Sequence, residues 1–344
     1  MIKSQHEQLG LSNEKVLEMY ETMLTARKID ERMWLLNRAG KIPFVISCQG
    51  HEGAQVGAAY ALDRKKDYVL PYYRDTGVVL SFGMTVQDLM LSAYAKGEDP
   101  NSGGRQMPGH FSQRKNRIVT GSSPVATQIP HAAGIALAAK MEGKDIVAFV
   151  TLGDGSTNQG DFHEGLNFAS VHKLPVIVMV ENNRYAISVP ATKQYACGKL
   201  SDRAAAYGIP GVTVDGTDPL AVYEVVRRAA ERARRGEGPT LIEAAVYRMT
   251  AHSSDDDDRK YRTREEIEEA RGKDPIISFR SYLMEAGVLD EFTDREISAR
   301  VSKTVDEAAE YADKAPYAKP EDALKHVYGE KRTEGRTNGG YFLY

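Results

Sequence analysis

Between residues 13 and 38 apolar side chains recur at Val16, Leu17, Tyr20, Met23, Leu24 and Ala26. A spacing near 3.6 predicts one long helix there, with Ser12 placed to cap its start and Gly40 to end it in the left-handed region. Helices are also predicted over 50–62 and 85–96, the second opened by Thr85 with Asp88 three residues on. The period then changes. Residues 145–152 (DIVAFVTL) and 175–180 (PVIVMV) are nearly continuous apolar runs, as expected of strands buried on both faces of a parallel sheet. Between them, 158–172 returns to helical spacing at Phe162, Leu166, Phe168 and Ala169. Strand, helix and strand in this order form a βαβ unit, whose crossover is right-handed. A strand over 211–215, a helix over 219–235 and a strand over 240–247, with Leu241, Ile242 and Val246, continue the alternation. The pattern predicts an α/β fold: a doubly wound, mostly parallel sheet flanked by helices, with helical extensions at both ends. We divide the chain into a helical extension (1–62), the α/β domain (63–263), a charged helical region (264–328) and a flexible tail (329–344).

Composition narrows the class without naming a function. The 344 residues carry 48 acidic and 45 basic side chains, so bulk charge recruits neither nucleic acid nor a membrane surface. Two cysteines, Cys48 and Cys197, make no disulfide framework and point to a reducing compartment. Apolar runs stop well short of the roughly 18 residues needed to span a bilayer. The opening residues show no apolar signal core, so the expected location is cytoplasmic.

The chemistry sits at two strand ends. Ligands of open parallel sheets bind beyond the carboxyl ends of the strands. Strand 145–152 runs into Gly153-Asp154-Gly155-Ser156, and strand 175–180 into Glu181-Asn182-Asn183-Arg184-Tyr185. The glycines let backbone approach a ligand, and amides opening the next helix favour an anion. Asp154 and Asn183 offer two hard oxygens of the kind Mg²⁺ takes beside phosphate and water. Taken alone, Gly-Asp-Gly is an ordinary turn and Asn-Asn an ordinary helix cap. Their spacing across one βαβ unit changes that. A nicotinamide-binding reading of the same unit is disfavoured, because the turn lacks Gly-x-Gly-x-x-Gly.

Gly153-Asp154-Gly155 followed by Asn182-Asn183 resembles the diphosphate motif of thiamine-diphosphate enzymes. Tyr73-Arg74-Asp75, the run from Gly104 to His110, the run from Ser122 to Gln128, and Tyr247-Arg248 through Asp256 extend the resemblance. Together they are similar to the alpha subunit of the decarboxylating component of 2-oxo acid dehydrogenase complexes, most of all the bacterial branched-chain type. The likeness covers roughly 10–328.

The resemblance implies thiamine diphosphate and Mg²⁺ as cofactors, with Asp154, Asn183 and the backbone of Tyr185 as metal ligands. It implies Tyr73, Arg74, Gly155 and Ser156 around the diphosphate, Arg248 orienting either the diphosphate or its own loop, and Ser123 and Val125 against the cofactor rings. Read locally, Arg74 also suits a helix-start ion pair, and Val125 an ordinary core position. Ser122, Pro124, Thr127 and Gln128 resemble a monovalent-cation (K⁺) site, the alternative being a helix cap around Thr127. His252 matches the histidine that faces the cofactor during transfer to lipoyl sulfur, and an imidazole suits both proton directions near neutral pH. His110 is a second candidate lining residue; His51 and His131 carry less weight, His131 as a structural residue. The loop over Asp255–Asp258 is expected at the mouth of the site, where a lipoyl domain would arrive. Phe44 and Val45 are candidates for the substrate pocket. This chain departs from mitochondrial branched-chain relatives at Tyr72, where they carry glutamine, and from some relatives at Glu181, where they carry arginine.

The glutamate that thiamine catalysis requires against the pyrimidine ring is not found in this chain's motifs. In the family it comes from a beta subunit, which implies an α2β2 heterotetramer, a lipoyl-bearing acyltransferase core and a small 2-oxo acid substrate. Close-spaced Gly53, Ala54, Gly57, Ala58 and Ala59 are expected to permit tight subunit packing. The alternatives are a pyruvate or acetoin enzyme of the same type and a non-catalytic scaffold of the same fold.

Overall fold

The computed structural model describes residues 3–325, so the tail predicted over 329–344 lies outside the described residues. The chain opens with α1 (Gln5–Gln8) and α2 (Asn13–Arg38), whose Ser12 cap accepts from the Lys15 amide; Gly40 follows at φ +69°. Then come α3 (Glu52–Tyr60), β1 (Tyr68–Leu70), α4 (Thr76–Ser81) and α5 (Val86–Ala93), the last opened by the predicted Thr85/Asp88 capping box. Next are α6 (Gln128–Met141), β2 (Ala148–Gly153), α7 (Gly160–Val171) and β3 (Val176–Asn182). A short antiparallel hairpin of β4 (Tyr185–Ala186) and β5 (Val189–Pro190) precedes β6 (Gly211–Asp215), α8 (Pro219–Arg234) and β7 (Thr240–Ala245). Three helices complete the described chain: α9 (Arg264–Arg271), α10 (Pro275–Glu285) and α11 (Glu291–Lys314).

Five strands form one sheet in the order β1-β2-β3-β7-β6, every neighbour parallel. Its middle strands are apolar throughout because both faces are covered. Phe149, Ile177, Met179 and Ile242 belong to a core shared with α2, α3, α8 and α11. Val150, Leu152, Val178, Val180 and Leu241 belong to a second core under α6 and α7. Alternate residues of one strand thus feed opposite layers. The Tyr20 hydroxyl donates to Asp294 at 2.7 Å, tying the first long helix to the last.

The small residues of α3 serve this chain's own packing rather than a subunit contact. A Cβ at Gly53 would lie 2.7 Å from the Gly216 carbonyl, and one at Gly57 would overlap the Pro219 carbonyl. Both glycines let α3 lie against the start of α8, and every residue from Glu52 to Ala59 is buried. The helix also ends at Tyr60, short of the predicted 62.

Candidate functional site

Four parallel strands deliver their carboxyl ends to one edge of the sheet. β2 stops at Gly153, which is level with Glu181 on β3, and Glu181 is level with Ala244 on β7. β1 is followed by Tyr72, Tyr73 and Arg74. Residues far apart in the chain therefore meet because the strands are in register.

The two turns singled out in the sequence do converge. Asp154 and Asn183 are both buried. One Asp154 oxygen accepts from Gln194 Nε2 at 2.7 Å. Burial lifts the Asp154 pKa above the usual carboxylate value, while the Gln194 hydrogen bond and the backbone amides of Asp154 and Asn183 act against that rise. Asn183 Oδ1 accepts from the Tyr185 amide at 3.2 Å, and its Nδ2 faces His51 Nε2 at 3.2 Å. The nucleus of the site is thus a carboxylate, a side-chain amide and exposed turn backbone, a donor set of hard oxygens that fits Mg²⁺. Gly155 also has a packing role. A Cβ there would sit 2.5 Å from that of Ala186, so the glycine lets the turn pack on β4.

Beside this nucleus lie two buried guanidiniums. Arg74 and Arg248 are buried, at 1% and 0% exposure, yet among the described residues neither has a carboxylate within ion-pair distance. Arg74 donates to the Ser47 carbonyl and approaches the His252 carbonyl and Nδ1, each at 3.4 Å. Its Nε has no partner among the described residues. Arg248 Nη2 donates to the Ile187 carbonyl at 3.0 Å and the Tyr261 hydroxyl at 2.8 Å, while Nη1 lies 3.5 Å from His252 Nδ1. Burial, then the field of Arg74, pulls Arg248 down to about 10. A buried charge costs several kcal/mol unless it is paired. Two guanidiniums turned toward one histidine nitrogen therefore fit a polyanion held in bidentate fashion. The local alternative for Arg74, a helix-start ion pair, is not what the geometry shows.

His252 stands between these arginines. Burial, then Arg74 and Arg248, pushes its pKa down to about 4, so the ring is neutral near pH 7. Its backbone amide donates to Asp256 at 2.8 Å, and its ring meets Tyr73 edge-on with centroids 5.9 Å apart. The 252–256 turn is pinned to the segment after α2: Val45 N donates to Ser254 Oγ at 3.1 Å, and Ser254 N to the Val45 carbonyl at 2.9 Å. Phe44, Val45 and Ile46 line a cavity of about 30 Å³ with Tyr73 and Phe111.

The remaining predicted residues gather less tightly. Ser123 and His110 form one pair, with Nε2 and Oγ 2.6 Å apart, in a surface cavity of about 320 Å³. Gly109, which lies close over the Tyr73 backbone, brings this loop beside the main site. Among the described residues no hydrogen bond joins the run from Ser122 to Gln128 to Asp154, Asn183 or Arg74. Val125 is half-buried beside the start of α6. Thr127 does not cap α6; its hydroxyl donates to the Pro124 carbonyl at 3.1 Å. Gln128 Oε1 is buried with no donor, which suits a cation better than a cap. His131 is exposed on α6 rather than packed.

Sequence reasoning underweighted His51 and missed Gln194. His51 is fully buried at the start of α3 and held far below its ordinary pKa by burial and then by Arg74. The only signal of either residue was proximity in the fold. A cavity of about 510 Å³ lies between α9 and the ends of β6 and β7. Its lining mixes Arg184, Lys199 and Lys273 with Asp215, Glu266 and Glu269 and contains none of the residues grouped above, so size does not locate the chemistry.

A family profile described as "Dehydrogenase E1 component" matches residues 20–321. The chain is 66% identical over 330 residues to the 2-oxoisovalerate dehydrogenase subunit alpha of Bacillus subtilis (strain 168), covering 96% of this chain and 100% of that protein. It is 40% identical over 304 residues to a pyruvate dehydrogenase E1 component subunit alpha of Staphylococcus aureus (strain MW2), covering 88% and 79%. To the protein of that same description in Bacillus subtilis (strain 168) it is 39% identical over 319 residues, covering 92% and 83%.

Proposed function

This chain belongs to the dehydrogenase E1 component family, and from that premise we propose that it is the alpha subunit of a branched-chain 2-oxo acid dehydrogenase. Identity of 66% to a 2-oxoisovalerate subunit, against 40% to pyruvate subunits, favours the branched-chain substrate class. Family membership brings thiamine diphosphate dependence. The observation that carries the site assignment is the pair of buried, carboxylate-free arginines next to Asp154 and Asn183.

When bound, thiamine diphosphate supplies the electron sink for decarboxylation. The chain's own residues hold and screen it. Asp154, Asn183 and the Tyr185 carbonyl are assigned to Mg²⁺. Arg74, Arg248 and Tyr73 bind the diphosphate, with the backbone of Gly155 and Ser156 approaching it. Ser123 and Val125 flank the rings, and Ser122, Pro124, Thr127 and Gln128 take K⁺. His252 enters neutral, so its Nδ1 accepts a hydrogen bond from either arginine, and it is the group we assign to proton transfer when the acyl group passes to a lipoyl domain. Phe44 and Val45, beside Tyr73, face the alkyl part of the 2-oxo acid. A beta subunit completes the site in an α2β2 heterotetramer, which we place in the cytoplasm. Among the described residues no helix is long and apolar enough to cross a membrane.

The test is co-expression with a candidate beta subunit, then calorimetry with thiamine diphosphate and Mg²⁺. Wild type binds and Asp154→Ala does not; equal affinity removes the metal assignment. Decarboxylation of 3-methyl-2-oxobutanoate should exceed that of pyruvate, and the reverse ranking would make this a pyruvate enzyme. His252→Ala should assemble and bind cofactor yet fail in transfer to lipoate.

A further inference from the structure

The segment after α2 is a strap without helix or strand, and it touches every part of the arginine cluster. The Ser47 carbonyl receives Arg74 Nη1. The Gln49 carbonyl accepts from Met249 N at 3.2 Å, next to Arg248. Val45 and Ser254 bond reciprocally, next to His252. Gly50 passes so close to the Tyr247 carbonyl that a Cβ would overlap it.

One side chain gathers three consecutive residues of the strap. Asp30 lies on α2, 4% exposed, and none of the reaction's assigned groups touches it. Its Oδ2 accepts from Ser47 Oγ at 2.7 Å and from Gln49 Nε2 at 2.6 Å, and its Oδ1 accepts from Cys48 N at 3.2 Å. All three partners are donors, on three consecutive residues, and among the described residues no cation lies within ion-pair distance. A carboxylate buried this way is costly, and an apolar residue of similar size would avoid the cost at the price of a slack strap. These hydrogen bonds hold the backbone that carries the Ser47 carbonyl, and that carbonyl is the anchor of Arg74.

We propose that Asp30 is a positioning residue for the diphosphate site, aiming Arg74 through the backbone of Ser47. The inference rests on the functional reading above, in which Arg74 binds the diphosphate. Asp30→Asn keeps the size but turns an N–H₂ toward donors, so at least one of the three bonds is lost and the strap shifts. In the assembled heterotetramer, Asp30→Asn should weaken Mg²⁺–thiamine diphosphate binding about tenfold by calorimetry, the scale of a hydrogen bond to a charged group. If Asp30 acts through Arg74, the loss must vanish in the Arg74→Ala background, where adding Asp30→Asn should change affinity by less than about twofold. The His252 titration, followed by NMR without cofactor, should rise in Asp30→Asn as Arg74 moves off, and should not rise further when Asp30→Asn is added to Arg74→Ala.

Fold-losses that multiply in the double variant overturn the inference, as does wild-type affinity in Asp30→Asn. Should Asp30→Asn not assemble, Ser47→Ala carries the same cycle. It removes the hydroxyl's bond to Asp30 and the one it accepts from the Gln49 amide but leaves the carbonyl, so a loss of about threefold that disappears in Arg74→Ala supports the coupling, and a loss that persists rejects it. Multiplying losses reject the role of Asp30 alone. A wild-type heterotetramer that binds no thiamine diphosphate rejects the functional reading, and this inference with it.

Discussion

At the scale of single residues the site is governed by fields rather than by contacts. Among the described residues His252 makes no short hydrogen bond through its ring, yet burial, then two guanidiniums at 3.4 and 3.5 Å, holds it neutral. The sign follows directly: a nearby cation disfavours the charged imidazolium, so removing it must raise the pKa. Arg74 is the larger of the two electrostatic causes, after burial. Arg74→Ala should therefore move the His252 titration from about 4 upward toward the ordinary histidine value, as read from the ring proton shifts in cofactor-free heterotetramer. The same ring sets a stability term. An imidazole that is neutral when folded and free to protonate when unfolded contributes stability that is complete above the unfolded pKa, about 6.5. That contribution is lost as pH falls from about 6.5 toward 4. The unfolding free energy of wild type minus that of His252→Asn should shrink over that window, and a difference independent of pH would mean that His252 is not buried as described.

At the scale of elements, most of the fold was legible and the reason is periodic burial. α2 starts and stops where its spacing and caps say, at Asn13 and Arg38. β6 occupies 211–215 as predicted, and β2 and β3 pair in parallel as the βαβ reading required. What escaped has physical causes. β1 is three residues long and has no period to read. α6 is alanine-rich, with its buried side chains Ile129, Ala132, Ala133, Ala136 and Ala139 too small to stand out from its exposed ones. The four-residue β4–β5 hairpin arises from turns, Arg184 at φ +68° and Ile187 at +55°. Of the site, Asp154 and Asn183 were visible because their spacing follows the βαβ geometry. His51, Gln194 and Asp30 were not, because tertiary contact alone selects them. The small residues of α3 were misassigned to a subunit contact because sequence cannot say which surface a glycine faces. That distinction is measurable. Gly57→Ala drives a Cβ into the Pro219 carbonyl and should destabilise the chain by about 1–3 kcal/mol. Gly134→Ala, mid-helix on α6 with nothing within 4 Å of its Cβ, should stabilise it by about 0.5–1 kcal/mol. Denaturant unfolding of the two variants gives opposite signs if α3 is an internal helix.

At the scale of the whole molecule, the sheet brings two buried arginines to its carboxyl edge, where Asp154, Glu181 and Asp256 act on them from a distance but, among the described residues, none forms an ion pair with either. Asp154, Arg74 and Arg248 come from the ends of β2, β1 and β7, three strands that share one sheet, so the proposed anion site requires the folded state. A ligand that binds only the folded state raises its stability by mass action. Inorganic diphosphate with Mg²⁺, which carries the anionic part of the cofactor and none of its rings, should therefore raise the melting temperature of the heterotetramer by several degrees at saturating concentration. The full cofactor should raise it further, because Ser123 and Val125 then contribute. Arg248→Ala should abolish most of the diphosphate shift and leave the increment from the rings, while Val125→Ala should do the reverse. If the arginines instead only brace the 248–262 loop, Arg248→Ala lowers the starting melting temperature and leaves the diphosphate shift untouched. The two outcomes separate a ligand site from a structural cluster without any measurement of turnover.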